Sequence, residues 1–295
     1  MSGPATQSEE WTVGRLLNWT RDYLRDKGLD QPQLCAQLLL AHALDCRRLD
    51  LYLRFGVTPD AAQRDAFRDL VRRAAGGEPI AYLTGRKEFF SLEFEVTPDV
   101  LIPRPETETL VEAVIAAART IDRPIRSILE LCTGCGCVAV SLAAQLPDLH
   151  VVATDVSSGA LAVARQNIAR HGLTDRVTPC QGDSFAGLDS QTGRFDMIVA
   201  NPPYIRTADL QALSAGPVGC EPRVALDGGE DGLDVIRRIV AGAPDHLAEA
   251  GWLFLEVGYD QADAVRSLYQ EAGLCDVRST RDGLGHERVI AGRRA

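Results

Sequence analysis

The segment best suited to carry chemistry is Asn201-Pro202-Pro203-Tyr204, which follows the apolar run Phe195–Ala200. The two prolines fix φ and remove two backbone donors, so the loop is rigid and presents carbonyl oxygens without competing N–H groups. The side-chain oxygen of Asn201 and the carbonyl oxygen of Pro202 can together accept both hydrogens of a planar –NH2 group. The ring of Tyr204 can cover a flat substrate face. This segment therefore predicts a site for an amide or an aromatic amine.

A second candidate site is the loop CTGCG at 132–136, which follows the apolar run Ile128–Leu131. Its two cysteines, together with Cys137, could bind a soft metal ion. Its two glycines could instead let the backbone approach a nucleotide-like cofactor closely. The two interpretations lead to different proteins, and the remaining sequence has to decide between them.

The remaining sequence favours the cofactor. A metal site needs a fourth ligand with its own spacing, and the candidates His150, His171 and Cys180 are scattered. In a parallel sheet, a nucleotide-like ligand binds at the carboxyl ends of the strands, and an acidic residue about 20 positions after the loop accepts from the ribose hydroxyls. Asp155 stands there, at the end of VVATD. We therefore expect no metal site, and cysteines that pack beneath the loop as small residues.

The spacing within the loop also bears on the identity of the cofactor. The dinucleotide fingerprint G-x-G-x-x-G is absent, because Ala139 occupies the position of the third glycine. Adenosine with a shorter, amino-acid-bearing tail fits better, which predicts S-adenosyl-L-methionine as the cofactor and S-adenosyl-L-homocysteine as the product. Asp183, in CQGDSF, is placed either to accept from the adenine amino group or to serve as an ordinary turn aspartate.

Together the two loops predict the transfer of a methyl group to nitrogen. The nitrogen of an amide or an aromatic amine is a poor nucleophile, because its lone pair is delocalised. Two acceptors on its hydrogens would hold it in line with the methyl–sulfur bond and would stabilise the positive charge that develops. Such a site needs no strong base.

The chain resembles the class I S-adenosylmethionine-dependent methyltransferases, and more closely the protein release factor glutamine methyltransferase family (HemK/PrmC). The resemblance covers nearly the whole chain. Besides the Asn-Pro-Pro-Tyr loop, the segments that carry it are EPIAYLTGRKEFFSLEFEV at 78–96, LIPRPETETLVE at 101–112, EPRVALDGGEDGLDVIRRI at 221–239 and GHERVIAGR near the end. It implies methylation of the side-chain amide of the glutamine in the Gly-Gly-Gln motif of peptide chain release factors, which are then the partners.

The resemblance also implies roles for individual residues. The cofactor-binding residues that it implies are Cys132, Thr133, Gly134, Cys135, Gly136, Asp155, Asp183, Ser184 and Asn201, and the catalytic and substrate-binding residues are Asn201, Pro202, Pro203 and Tyr204. Two positions depart from the family pattern. Cys132 stands where glycine is common, and Ser184 stands where an aromatic ring often covers the adenine, a cover that Phe185 could supply instead.

These loops need a sheet that positions them. Beyond Arg126, strand-like and helix-like segments alternate, which predicts a Rossmann-like, mostly parallel seven-stranded sheet wrapped by helices, an α/β fold. The predicted strands are 127–131, 150–154, 176–180, 195–200, 251–257, 275–280 and 287–291. The predicted helices are 138–146, 158–171 and 231–248.

The chain divides into three predicted parts. Residues 1–85 read as a small helical domain, since apolar residues recur on one face of each helix, and the resemblance implies that this domain docks the substrate. Residues 86–105 read as a β-hairpin linker with its turn near Ser91, and residues 106–295 as the methyltransferase domain.

A proline-rich segment joins the predicted hairpin to the methyltransferase domain. Pro105 suits the first turn of a helix. Arg104, just before it, could reach the cofactor or the substrate, or it could form an ion pair with Glu106 or Glu108.

Charge and composition limit the class of protein. The 295 residues carry 31 Lys+Arg and 41 Asp+Glu, a net charge of −10. Residues 1–85 hold eleven of each, so the whole excess, 20 against 30, lies in residues 86–295, which disfavours direct contact with nucleic acid. No run approaches the roughly 20 apolar residues of a membrane span. The absence of a secretory signal, with eight cysteines, indicates reduced thiols and a cytoplasmic protein without membrane contact.

Three other interpretations remain open at this point. An adenine-N(6) methyltransferase acting on DNA or RNA would stack Tyr204 on a flipped base, but residues 205–250 are acidic and too few for a base-reading region. A metal- or thiol-dependent binding protein built on the cysteines lacks a fourth ligand. A catalytically dead scaffold is disfavoured by the intact Asn-Pro-Pro-Tyr segment.

Overall fold

The computed structural model describes residues 10–188, 193–213 and 216–295, and the chain folds as two compact units that divide between Gly85 and Arg86. The first unit is helical. Its helices are α1 (Val13–Asp26), α2 (Pro32–Ala43), α3 (Asp50–Leu53), α4 (Ala61–Ala75) and α5 (Ile80–Thr84). Thr12 and Asp60 cap α1 and α4 by accepting from backbone N–H groups of the first turn. Leucines on the inner faces, such as Leu24 and Leu39, are fully buried.

The second unit contains a hairpin and a sheet flanked by helices. The hairpin strands are β1 (Arg86–Phe89) and β2 (Leu92–Glu95). The sheet strands are β3 (Ser127–Leu131), β4 (His150–Asp155), β5 (Val177–Gln181), β6 (Phe195–Ala200), β7 (Leu247–Glu256), β8 (Leu274–Arg281) and β9 (Glu287–Arg294). The helices are α6 (Pro105–Thr120), α7 (Cys137–Gln145), α8 (Ser158–Arg170), α9 (Thr207–Leu213), α10 (Asp234–His246) and α11 (Ala262–Glu271).

The described strands form a seven-stranded sheet in the order β5-β4-β3-β6-β7-β9-β8, in which β9 runs antiparallel to its neighbours. The predicted α/β architecture is thus confirmed. Most strand and helix bounds differ from the prediction by one residue or a few. The strand predicted to begin at Gly251 begins at Leu247. The helix predicted over 231–248 is shorter, because Gly232 has φ +79° before it and Leu247 is extended after it.

The sheet is buried on both faces, as its apolar strands require. Successive residues of β3 point to opposite sides, so Ile128 packs with α6, α7 and α8, whereas Leu129 packs with α10 and α11. The carboxyl ends of β3, β4, β5, β6 and β7 lie along one edge, where their loops leave the sheet. Among the described helices, none is both long and apolar enough to cross a bilayer.

Within the second unit, a buried asparagine on α8 joins the hairpin to the loop after β3. The turn of the hairpin, at Phe90 and Ser91, lies where it was predicted and has positive φ at both residues. Asn167 of α8 is 0% exposed; its Oδ1 accepts from the Glu95 N–H at 2.8 Å, and its Nδ2 donates to the carbonyls of Glu95 at 3.0 Å and Cys135 at 2.9 Å. One carboxamide therefore fixes β2 and the loop after β3 against α8.

Replacement of Asn167 by Ala is expected to lower the free energy of unfolding by about 2–4 kcal/mol, because it leaves buried backbone groups without partners. Denaturant unfolding followed by circular dichroism measures this. Gln166→Ala, an exposed neighbour on the same helix, is the matched control and should change the free energy by less than about 0.5 kcal/mol. Equal stability of the two variants would show that these hydrogen bonds contribute little.

Candidate active site

One cleft at the carboxyl edge of the sheet gathers most of the residues that the sequence singled out. Its lining includes, from the predicted set, Cys132, Thr133, Gly134, Cys135, Asp155, Asp183, Ser184, Asn201 and Pro203. Among the described residues, Gly136, Pro202 and Tyr204 of that set do not line it. The cleft also contains residues that the sequence did not single out, among them Thr107, Glu130, Val156 and Arg238.

The loop after β3 has a backbone that favours glycine. Cys132, Gly134 and Gly136 have φ of 59°, 57° and 82°. A Cβ added to Gly134 would meet no atom within 4 Å, so this residue keeps open the space of the cleft that it lines. A Cβ added to Gly136 would lie 3.4 Å from Ala164 of α8. Gly134 therefore faces the cleft, whereas at Gly136 the positive φ, rather than the space beside α8, favours glycine.

The carboxyl group of Asp155 joins this loop to the end of β4. Its Oδ2 accepts from the Gly134 N–H at 2.8 Å, and its Oδ1 accepts from the Ser157 N–H at 2.9 Å. Burial raises the pKa of Asp155. Each oxygen retains a lone pair, and Asp155 lines the cleft, so the carboxyl can accept further hydrogen bonds from a ligand.

A second carboxyl group, that of Glu130, lies beneath the same loop. It accepts from the Thr133 hydroxyl at 2.5 Å, and burial raises its pKa to about 8. The sequence did carry a signal for it, because Glu130 is the one charged residue in the apolar run SILEL of β3. A charged residue at the end of a buried strand needs a partner or a function.

The surroundings of Cys132 and Cys137 favour the thiol form of both side chains. Burial raises the pKa of the Cys132 thiol, and a hydrogen bond with Cys135, followed by burial, raises that of Cys137. Metal ligation needs the thiolate form. Within residues 10–188, 193–213 and 216–295, no group of three His, Cys, Asp or Glu side chains is arranged to hold a metal ion.

In the loop after β5, Phe185 does not lie where it could cover an adenine ring in the cleft. Phe185 stacks on His246, with ring centroids 4.3 Å apart, and does not line the described cleft. The cover that Phe185 could have supplied is therefore absent at this position, because the ring packs against α10 instead. Val156, which is 50% exposed, gives apolar lining surface. Asp183 accepts from the Arg238 guanidinium at 2.6 Å.

In the loop after β6, the nitrogen of the Asn201 side-chain amide is bound, whereas its oxygen is bound by none of the described residues. Its Nδ2 donates to the Thr107 hydroxyl at 3.1 Å, an orientation assigned from the hydrogen-bond network. This leaves Oδ1 available to a ligand. The Tyr204 hydroxyl instead donates to Oε1 of Glu256 at 3.2 Å. Burial, and then the nearby Glu256, raise the pKa of Tyr204, which keeps it a donor.

Arg104 forms an ion pair with a residue far away in the sequence. Its partner is Glu221, which also accepts from the Ile102 N–H at 3.2 Å. Of the two alternatives considered for Arg104, the ion pair with Glu106 or Glu108 is wrong, and Glu108 instead accepts from the Phe90 N–H at 2.9 Å. Since Arg104 lines the cleft, this pair joins two segments at its rim.

The sequence of the chain matches known proteins over nearly all of its length. Residues 15–85 match the PrmC N-terminal domain, and residues 107–215 match the methyltransferase small domain. The release factor glutamine methyltransferase of Geobacter sulfurreducens is 45% identical over 97% of this chain and 98% of its own. That of Burkholderia pseudomallei is 48% identical over 92% and 95%. The chain belongs to the release factor glutamine methyltransferase family.

Solved structures show the same fold in more distant methyltransferases. A methyltransferase from Pyrococcus furiosus is 21% identical, with a TM-score of 0.51 over 79% of this chain and 99% of its own. The catalytic domain of human METTL16, solved with MAT2A 3'UTR hairpin 6, is 19% identical, with a TM-score of 0.54 over 69% and 76%. These likenesses concern the fold alone. They agree with the Rossmann-like sheet expected for a member of the family.

Replacement of Asp155 by Ala should weaken binding of S-adenosyl-L-homocysteine by about 2–4 kcal/mol, since two hydrogen bonds to a carboxylate are lost. Titration calorimetry measures this. Asp148→Ala, at the exposed start of the same βα unit, is the matched control. An affinity of Asp155→Ala within about a factor of two of wild type would remove Asp155 from the cofactor site.

Replacement of Cys132 by Gly is expected to preserve or improve affinity for S-adenosyl-L-homocysteine. Glycine adopts the φ of 59° found there without the cost of a Cβ. The substitutions Cys135→Ser and Cys137→Ala should be tolerated. Stoichiometric zinc or iron in the purified protein, or loss of activity with a chelator, would instead restore the metal interpretation.

Proposed function

We propose that this chain transfers a methyl group from S-adenosyl-L-methionine to the side-chain amide nitrogen of the glutamine in the Gly-Gly-Gln motif of peptide chain release factors. The observation that carries the proposal is the Asn201 carboxamide, whose Nδ2 is bound by Thr107 and whose Oδ1 remains free in the cleft. The names of the relatives in Geobacter and Burkholderia support the choice of substrate.

The residues of the cleft fit the proposed cofactor. The open space before Gly134 admits a ligand against the backbone, and the lone pairs of Asp155 suit ribose hydroxyls. Val156 gives apolar surface for an adenine ring. The proposed cofactor-binding residues are Cys132, Thr133, Gly134, Cys135, Asp155, Asp183, Ser184 and Asn201, with Gly136 acting through the loop backbone. When bound, the cofactor supplies an activated methyl group.

The substrate amide is proposed to bind through its two hydrogens. Oδ1 of Asn201 accepts one, and the carbonyl oxygen of Pro202 accepts the other. This holds the nitrogen on the line of attack and favours the positive charge that it acquires. Pro203 lines the cleft beside Asn201, and the two prolines keep the loop rigid. The proton leaves after methyl transfer, so none of these groups has to act as a strong base.

Release factors are the proposed partners, and no direct contact with nucleic acid is proposed. Adenine methylation would need the ring of Tyr204 to stack on a flipped base. Its hydroxyl donates to Glu256, a contact compatible with either substrate. The negative balance of residues 86–295 opposes a phosphate backbone. This charge, together with the names of the relatives, favours a protein substrate.

Replacement of Asn201 by Ala should reduce the rate of methyl transfer by about 10²–10³, the cost of removing one preorganised electrostatic partner. Affinity for S-adenosyl-L-homocysteine should change much less, because the acceptor matters most as charge develops. Asn201→Asp keeps an acceptor but loses the donor to Thr107, so its rate should lie between those of Ala and wild type.

The measurement is a single-turnover assay with labelled S-adenosyl-L-methionine and a saturating release factor. A release factor with its Gly-Gly-Gln glutamine changed to Ala is the control and should take up no label. An unchanged rate in Asn201→Ala would remove this loop from the catalytic role. Absence of label in the wild-type reaction would contradict the proposed substrate.

A further inference from the structure

A carboxyl group lies beneath the Asn201–Tyr204 loop, fully enclosed by protein. Glu256 is the last residue of β7 and is 0% exposed. The register that pairs Ala200 with Leu255 puts Asn201 and Glu256 at the next level of two adjacent strands. The sheet therefore delivers this carboxyl to the base of the loop that is proposed to bind the amide.

This carboxyl is bound to one end of the loop and lies beside the other. The Tyr204 hydroxyl donates to Oε1 of Glu256 at 3.2 Å. At the other end, the Thr107 hydroxyl accepts from Nδ2 of Asn201 at 3.1 Å, and Asn201 directly follows the residue that pairs with Leu255. Oε2 of Glu256 is buried and has no hydrogen-bond partner among the described residues. This oxygen is therefore open to a hydroxyl proton.

The direction of each contact follows from the donors and acceptors present. A threonine hydroxyl has one proton, and because the Thr107 oxygen receives the N–H of Asn201, its proton must go to another acceptor. A carboxylate only accepts, so the Tyr204 proton goes to Glu256, and the unpartnered Oε2 of Glu256 is a buried acceptor available for the Thr107 proton. The Thr107 oxygen is then presented to Asn201 as an acceptor, which keeps Nδ2 inside and Oδ1 toward the cleft.

We propose that Glu256 is a positioning residue that fixes the orientation of the Asn201 carboxamide through the Thr107 hydroxyl. The kinetic part of this inference rests on the proposed function, in which Oδ1 accepts from the substrate amide. Rotation of the Asn201 carboxamide by about 180° would exchange Oδ1 and Nδ2. Its –NH2 group would then face the –NH2 group of the substrate, and no hydrogen bond could form between the two donors. The contact with Tyr204 holds the other end of the loop.

The sharpest test replaces Glu256 by Gln, which keeps the size but adds an –NH2 donor. Gln can donate to the Thr107 oxygen, so the hydroxyl proton turns to Asn201 and favours the reversed carboxamide. Burial raises the pKa of Glu256 to about 7, so the assay is run at about pH 8.5, where the carboxylate predominates.

In Glu256→Gln, single-turnover methyl transfer should fall by about tenfold to a hundredfold, with affinity for S-adenosyl-L-homocysteine within about twofold of wild type. Glu249→Gln, exposed on the same strand, should match wild type.

A double-mutant cycle tests whether Glu256 acts through Thr107. Thr107→Val alone should lower the rate about as much as Glu256→Gln. In the Thr107→Val background, Glu256→Gln should then add less than about a twofold effect, because the two residues form one path. Thr107→Ser keeps the hydroxyl and should retain activity. Effects that multiply as independent factors would overturn the proposal. If Glu256→Gln folds poorly, an unchanged rate in Thr107→Val alone would overturn it.

A nuclear magnetic resonance measurement separates this inference from the proposed function. The side-chain proton–nitrogen resonances of Asn201, assigned by their absence in Asn201→Ala, report the contact with Thr107 without a release factor. They should shift in Glu256→Gln and stay in place in Glu249→Gln. If wild type does not methylate the release factor and the resonances still shift, the proposed function fails and the positioning role stands. Unchanged resonances, or a rate in Glu256→Gln within about twofold of wild type, would overturn the positioning role.

Discussion

The register of the central parallel strands is the constraint on which the cleft depends. Leu131 pairs with Thr154 on one side and with Ala200 on the other, and Ala200 pairs with Leu255. The next residues along these four strands are Cys132, Asp155, Asn201 and Glu256, so they emerge at one level of one edge. A shift of one residue in any pair would turn a strand over and exchange its two faces. The packing of both faces against helices therefore also fixes the geometry of the site.

Burial gives the polar groups at this edge their properties. Glu130 and Glu256 are enclosed, which raises their pKa to about 8 and about 7. Enclosure also strengthens each hydrogen bond, because little water competes for the same atoms. The cost of burying carboxyls is offset only where hydroxyl and backbone donors meet them, as Thr133 and Tyr204 do. The cleft thus combines apolar walls with a few fixed polar contacts, the usual composition of a ligand site.

The sequence predicted the sheet and its two loops because both follow from local patterns. Apolar runs followed by glycine, proline or asparagine give the strand ends, and these ends converge in any parallel sheet. It did not predict contacts that depend on distant segments. Arg104 meets Glu221 rather than its neighbours, and Phe185 packs on His246. Tyr204 points its hydroxyl into the protein rather than only presenting a ring, since Glu256 comes beside it through strand pairing that no local pattern encodes.

The antiparallel strand β9 has a consequence for the synthesis of the protein. It lies between β7 and β8, although both precede it in the chain. Until residues 287–294 have left the ribosome, one edge of β7 is unpaired, and Glu256 lacks Val289, its partner in the β7–β9 pairing. An unpaired apolar edge is a template for association with other chains. The nascent chain therefore exposes this edge to association until the last strand of the sheet is in place.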